Sequence, residues 1–321
     1  MVKGISDMLH TFLHATQGVF TIMIMVATGW VLAHIGWMGE NESTLFSKLI
    51  LKISFPCYML WNLMSNFDRY ELKKLSSGLI VPFASMLAAY FFSVAISKLA
   101  KIPSEHRGVF RSIFFTSNTI FIGLPVNLAL FGEESTPYAL IYYIANTCLF
   151  WTLANYEISK DGNSRSPGGI LSLRTLKQLI NPPICVFVLT VLFILTGVQL
   201  PIFITSSCRY IGELTTPLAM FFIGIVLHSI PLKKLRLNRE MVILLLGRFI
   251  ISPLLVVALE QIFILPPLMA KVFIIQSAMP AVTSTGAIAK QYGSDYEYAT
   301  IATAITTLCS IIVIPVYMLL L

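Results

Sequence analysis

The chain has 321 residues, of which 56% are hydrophobic and only 12% charged, with a formal net charge of +7 and a mean hydropathy of +0.81. A soluble domain of this length carries roughly twice that share of charge, so a water-soluble fold is excluded and an all-α polytopic membrane protein is expected. The basic residues lie in short clusters between apolar runs, without aromatic interleaving or a basic stripe. That excludes a nucleic-acid surface and fits the enrichment of Lys and Arg in cytoplasmic loops.

Apolar runs of about 20 residues, long enough to cross a ~30 Å hydrocarbon core, recur at 18–37, 45–65, 77–98, 108–131, 136–156, 180–199, 210–230, 239–262, 267–291 and 296–320. Ten transmembrane helices are therefore expected. The first run has no basic segment before it and no small-residue cleavage pattern after it, so it is read as a retained helix and not a signal peptide. The stretch 157–179 carries Lys160, Arg165, Arg174 and Lys177 around a Gly/Ser/Pro centre. It reads as a flexible linker between two five-helix units, 1–156 and 180–321.

Loop charge predicts the orientation. With the N-terminus outside, the inner loops collect those four residues with Lys98, Lys101, Arg107, Arg111, Lys233, Lys234, Arg236, Arg239 and Lys290. The outer segments hold Lys3, Arg69, Lys73, Lys74 and Arg209. Both termini are thus expected outside and the linker in the cytoplasm, with the protein in the cell membrane. The loop around 66–76 runs against this trend.

The two units share landmarks at a constant offset of 161 residues. Ile53-Ser54-Phe55-Pro56 falls on Leu214-Thr215-Thr216-Pro217, and Phe131-Gly132-Glu133-Glu134 on Tyr292-Gly293-Ser294-Asp295. Five spans per unit is an odd number, so the second unit enters the bilayer upside down. Inverted repeats of this kind place a substrate site at their interface near the midplane.

The fourth and ninth runs carry the chemistry. Ser117-Asn118-Thr119 leads to Gly123-Leu124-Pro125, and Met279-Pro280-Ala281 leads to Thr283-Ser284-Thr285-Gly286. Proline, glycine and hydroxyl residues at mid-membrane predict either a simple kink or a helix that stops and restarts. Unwound backbone at that depth must be buried in protein or line a cavity. A half-helix N-terminus there offers N–H groups and a positive dipole end to an anion. Equivalent positions in both units favour a crossed pair of broken helices, with the break in the fourth around Ser117–Thr119.

These segments resemble motifs of the auxin efflux carrier family: Ser117-Asn118-Thr119 with Ile122-Gly123-Leu124-Pro125, Met279-Pro280-Ala281 running to Ala289-Lys290-Gln291-Tyr292-Gly293, Asn181-Pro182-Pro183-Ile184, and Thr215-Thr216-Pro217-Leu218-Ala219. The resemblance covers essentially the whole chain. The short linker is like that of bacterial malate and malonate permeases in that family. It implies a fold similar to bile-acid symporters and sodium/proton antiporters. Helices one, two, six and seven would form a scaffold that makes a homodimer, and the other six an elevator-like transport unit. Where plant members place a proline before the crossover asparagine, this chain has Ser117.

Arg248, near the middle of the eighth run, marks either a functional charge or a structural one that caps carbonyls or snorkels. If it reaches the crossover, it could neutralise an anionic substrate bidentately. Asn146 reads as a polar amide near the substrate or as an interhelical bond. Lys48 and Lys52 enter the second run from the inner side and either snorkel or line a vestibule. Cys57, Cys148, Cys185, Cys208 and Cys309 are scattered, so neither a disulfide framework nor a metal site is expected, and no cofactor is implied. The chain lacks HExxH and GxSxG patterns, which argues against an enzyme, and lacks the polar stripe a channel would need; a membrane receptor is a further remote reading.

The expected function is secondary transport of a small organic anion, a di- or monocarboxylate such as malate. Its site would comprise Ser117, Asn118, Thr119, Asn146, Arg248, Met279, Pro280, Ala281, Thr283 and Ser284, with Gly123 and Pro125 as kink positions. Export of amino acids or of weak hydrophobic acids is the alternative.

Overall fold

The computed structural model describes residues 20–70, 77–162, 180–230, 235 and 237–321. Among them the secondary structure is entirely helical. The helices are α1 (Phe20–His34), α2 (40–66), α3 (Ile80–Leu99), α4a (Arg107–Phe115), α4b (119–131), α5 (136–161), α6 (Pro182–Thr196), α7 (Ile202–Ser229), α8 (Arg239–Glu260), α9a (Pro267–Ser277), α9b (Thr285–Tyr292) and α10 (Tyr296–Leu320). Among the described residues, five runs are long and apolar enough to cross a membrane: Ile80–Leu99, Arg107–Phe131, Ile202–Ser229, Arg239–Glu260 and Tyr296–Tyr317. Shorter apolar helices are α1, α6 and α9a.

Three prolines shape three of these helices in one way. Pro56, Pro125 and Pro253 each sit at the start of an α segment, and a five-residue π turn precedes each: Ile50–Ser54, Thr119–Gly123 and Gly247–Ile251. A proline cannot donate to the carbonyl four residues back, and its ring collides with that carbonyl. The helix widens instead: Phe55 N–H reaches Ile50 O, Gly123 N–H reaches Asn118 O and Ser252 N–H reaches Gly247 O. Pro125 therefore widens α4b without ending it. The true break comes earlier, where Thr116 is extended and Asn118 leaves helical geometry.

Two apolar clusters hold the helices together. One joins α3, α4a, α5, α8, α9 and α10 around Phe110, Phe114, Tyr142, Phe273 and Ile305. The other packs α2 and α7 against α4b through Ile50, Phe55, Met59, Phe121 and Phe222. Since lipid is as apolar as a leucine side chain, tight van der Waals fit and small residues drive such packing. At the α1–α7 crossing, a Cβ on Gly29 would lie 2.5 Å from Phe221 O, and one on Gly224 would lie 2.2 Å from Val26 O. Only glycine permits that approach.

The stretch 157–161, expected as the start of the linker, is the last turn of α5. Glu157 is 2% exposed and takes Arg111 Nη1 at 2.9 Å, Lys160 Nζ at 3.0 Å and the Tyr90 hydroxyl at 2.9 Å. Asp161 Oδ2 accepts the Gly108 and Val109 N–H groups at 2.5 and 3.1 Å. The end of α5 thereby caps the start of α4a. Arg165, Arg174 and Lys177 lie outside the described residues, as do Lys3, Lys73, Lys74, Lys233, Lys234 and Arg236.

Candidate functional site

The broken helices meet where both interrupt. Asn118 N–H donates to Pro280 O at 2.8 Å, and Gln276 Nε2 donates to Thr119 O at 3.4 Å. Both breaks are deeply buried: Thr116, Ser117, Asn118, Met279 and Ala281 are all 3% exposed or less. Breaking a helix there leaves backbone groups that must find partners, and side chains supply many of them.

Arg248 answers the carbonyls. It is fully buried, and Nη1 donates to Ile113 O, Phe114 O and Thr116 O at 3.4, 3.2 and 2.8 Å, while Nη2 donates to Ser277 O. One guanidinium thus closes the C-terminal ends of α4a and α9a, where the helix dipoles are negative. Ser252 Oγ adds a bond to Phe114 O at 3.0 Å. The turn before Arg248 fits because residue 247 is glycine; a Cβ there would lie 1.9 Å from the Phe114 ring.

Asn146 holds the unwound strand. Its Oδ1 accepts Ser117 N–H and its Nδ2 donates to Ser117 O, both at 2.9 Å, so an amide side chain replaces a backbone partner. Asn118 caps α4b by accepting Phe121 N–H at 3.2 Å, and Thr306 Oγ1 accepts Ala281 N–H at 3.2 Å.

The N-terminal ends of α4b and α9b are capped in part, by Phe121 N–H on Asn118 Oδ1, Thr119 N–H on Ser117 O and Thr285 N–H on Val282 O. They border a cavity of about 270 Å³ lined by Ser117, Asn118, Thr119, Asn146 and Ser284. Of these lining residues, Asn118 Nδ2 and Ser117 Oγ are buried without a hydrogen-bond partner. The remaining walls are mainly apolar, with Phe121, Tyr143, Phe150 and Trp151 from α4b and α5 and Pro182 from α6. Lys52, from the π turn of α2, also lines the cavity, which no Asp or Glu borders among the described residues.

The sequence-predicted residues thus divide by place. Ser117, Asn118, Thr119, Asn146 and Ser284 share the cavity, whereas Arg248, Met279, Pro280, Ala281 and Thr283 are absent from its lining. Arg248 lies behind the crossover, holding its carbonyls. Gly123 packs against Gln276 and Pro125 sits in the first turn of the α segment that follows. The aromatic wall was not foreseen, because an aromatic in an apolar run carries no mark of which way it faces. Lys52 did carry one, since a cation inside an apolar run needs a wet or anionic surround.

The chain matches the family described as membrane transport protein over residues 14–318. It belongs to the auxin efflux carrier family. Known members cover nearly its whole length: an uncharacterised transporter of Methanocaldococcus jannaschii is 24% identical over 305 residues, spanning 93% of this chain and 96% of that protein. An uncharacterised transporter of Methanothermobacter thermautotrophicus is 22% identical over 310 residues, spanning 95% and 98%. A putative malonate transporter of Rhizobium meliloti is 25% identical over 200 residues, spanning 60% and 61%. The family and these relatives carry transport, so this carrier-family member is a membrane transporter.

Proposed function

We propose that this transporter is a secondary carrier of small carboxylates, working by alternating access around the α4/α9 crossover. The observation that carries the reading is the cavity itself. The starts of α4b and α9b, with Ser117, Asn118 and Ser284, line a space that no carboxylate borders among the described residues, and Asn118 Nδ2 and Ser117 Oγ beside it are buried without a partner. Such a space selects for negative charge. The partial likeness to a putative malonate transporter supports a carboxylate such as malonate or malate.

The finer architecture belongs to the same proposal: ten spans in two inverted units of five. Its support is the offset of 161 residues. Among the described residues, the four glycines with positive φ form two pairs at that offset, Gly36 with Gly197 (φ 77° and 76°) and Gly132 with Gly293 (both 72°). The α segment Leu124–Phe131 falls on Thr285–Tyr292 at the same offset. Helices α1, α2, α6 and α7 form the scaffold, and exposed Val188, Leu192 and Phe203 give it an apolar face for lipid or a second copy. The remaining helices move as the transport unit.

Orientation follows from the face on which the cavity opens. Lys52, in the middle of α2, and Pro182, at the start of α6 just after the linker, border it, and this reading puts that opening on the linker side. The linker and the basic loops mark that side as cytoplasmic, so both termini lie outside and the cavity faces inward. Tyr58 Oη against Thr136 Oγ1 at 3.0 Å, and the Phe55–Tyr143 ring pair, close the opposite side.

The test is uptake of radiolabelled malonate and L-malate into proteoliposomes, with an imposed pH gradient, for wild type beside Asn118→Ala. Saturable uptake in wild type, reduced ~10-fold or more in the variant, is expected from the loss of a buried polar contact to a charged group. Equal uptake by both proteins would remove the crossover as the site. Silence from a folded wild type would remove these carboxylates as substrates and bring forward amino acids and weak hydrophobic acids.

A further inference from the structure

Resting on the carboxylate-carrier reading, we propose that Lys52 is the second anchor of the substrate, so that the cavity selects dicarboxylates over monocarboxylates. Asn118, Ser117 and the α4b N-terminus contribute one set of polar groups to the cavity and the Lys52 side chain of α2 contributes a cation, with the Phe121 and Trp151 rings also in the lining. None of the ion pairs among the described residues engages Lys52. A cation beside apolar walls without a carboxylate partner is complementary to an anion that arrives from outside.

One carboxylate of the substrate accepts from the Asn118 amide and the crossover N–H groups. A monoacid satisfies those donors and leaves the ammonium facing an apolar tail. A three- or four-carbon diacid places its second carboxylate on Lys52 and its short methylene chain along the aromatic wall. A cavity of about 270 Å³, just below the usual range for ligand pockets of about 300–1,000 Å³, suits a small molecule of that kind. Lys48, one turn earlier on α2 and exposed as Lys52 is, is not part of the lining and serves as an internal control.

The experiment measures half-saturation concentrations for malonate, L-malate and the monoacid pyruvate in proteoliposomes of wild type, Lys52→Gln, Lys52→Arg and Lys48→Gln. Lys52→Gln is expected to raise the values for malonate and malate ~10-fold or more, as befits a lost charge-assisted contact, and that for pyruvate less than ~3-fold. Lys52→Arg should restore most of the diacid affinity, and Lys48→Gln should match wild type. Equal weakening of mono- and diacids would overturn the two-anchor arrangement while leaving the carrier standing. Lys52→Gln indistinguishable from Lys48→Gln would overturn any role for Lys52. Binding is read in parallel in detergent, from the part of the malonate-induced fluorescence change that Trp151→Phe abolishes. A wild type that neither moves nor binds any of the three acids would instead overturn the carrier reading itself, and this inference with it.

Discussion

Arg248 answers the question that a broken helix in a membrane poses, which is where the freed carbonyls go. Four of them converge on its two terminal nitrogens, from two helices that are far apart in sequence. Lysine has one nitrogen and no fork, so Arg248→Lys is expected to leave some of those carbonyls bare, and Arg248→Met all of them. A buried group left without its partner costs about 1–3 kcal/mol. The methionine variant should therefore lose most of its folded, monodisperse fraction in detergent at a temperature where wild type survives, with the lysine variant between them. A methionine variant as stable as wild type would show that the guanidinium does not hold the crossover. Asn146 poses the same question on a smaller scale, since Asn146→Asp can still accept Ser117 N–H but can no longer donate to Ser117 O. From sequence, a mid-membrane arginine and an asparagine mark themselves as costly, but the cost is the same whether the partner is substrate or backbone. Which it is depends on direction, and direction comes from where α4a and α9a end, with their last carbonyls on the guanidinium.

The prolines act at the scale of the helix. A proline two residues beyond a π turn occurs three times, and on α2 that turn contains Lys52. Pro56→Ala restores an N–H that can reach Lys52 O, and an ordinary α turn then re-registers the residues before it. The expected result is a malonate half-saturation value shifted toward that of Lys52→Gln, with stability unchanged or improved; a wild-type value would mean that the wide turn does not position the lysine. The N-terminus of α4a has its own control in Asp161. Burial pushes this carboxyl up to about 6, against the pull of the Val109 and Gly108 N–H groups. A folded-state value above the ordinary one means that its contribution to stability is complete at low pH and is lost as pH rises through about 6. The melting temperature of Asp161→Asn should accordingly gain on wild type between pH 5 and pH 7, measured in the same detergent. Helix positions were legible from apolar run lengths because a hydrocarbon core sets them; the expected spans at 77–98 and 239–262 compare with Ile80–Leu99 and Arg239–Glu260. The break around Ser117–Thr119 was legible too, for hydroxyl and amide side chains gather where backbone must be answered. The end of α5 was not, because Glu157 and Asp161 read as linker charge until Arg111 and the α4a N-terminus are seen beside them.

For the whole molecule, the arrangement of contacts around the cavity decides which motion is available. The cavity is bordered by Lys52 and Pro182, and α2 meets α5 through the buried Tyr58–Thr136 hydroxyl pair and the edge-on Phe55–Tyr143 ring pair. These contacts join the proposed scaffold to the proposed transport unit, and they must separate if the cavity is to open to the opposite face. A single hydrogen bond contributes about 0.5–1.5 kcal/mol, enough to bias two states of similar energy by several-fold without fixing either. Tyr58→Phe removes the Tyr58–Thr136 bond and keeps the ring, so it should shift the population away from the state described here. Lys52→Cys on a chain without its five native cysteines gives the readout, as modification by a membrane-impermeant thiol reagent applied from the linker side of inside-out vesicles. Adding Tyr58→Phe is expected to slow that labelling and to raise labelling from the opposite side. Unchanged labelling from both sides would mean that the hydroxyl pair does not hold the far side shut. Faster labelling from the linker side would mean that the bond belongs to the other state, reversing the assignment of which contacts close and which open.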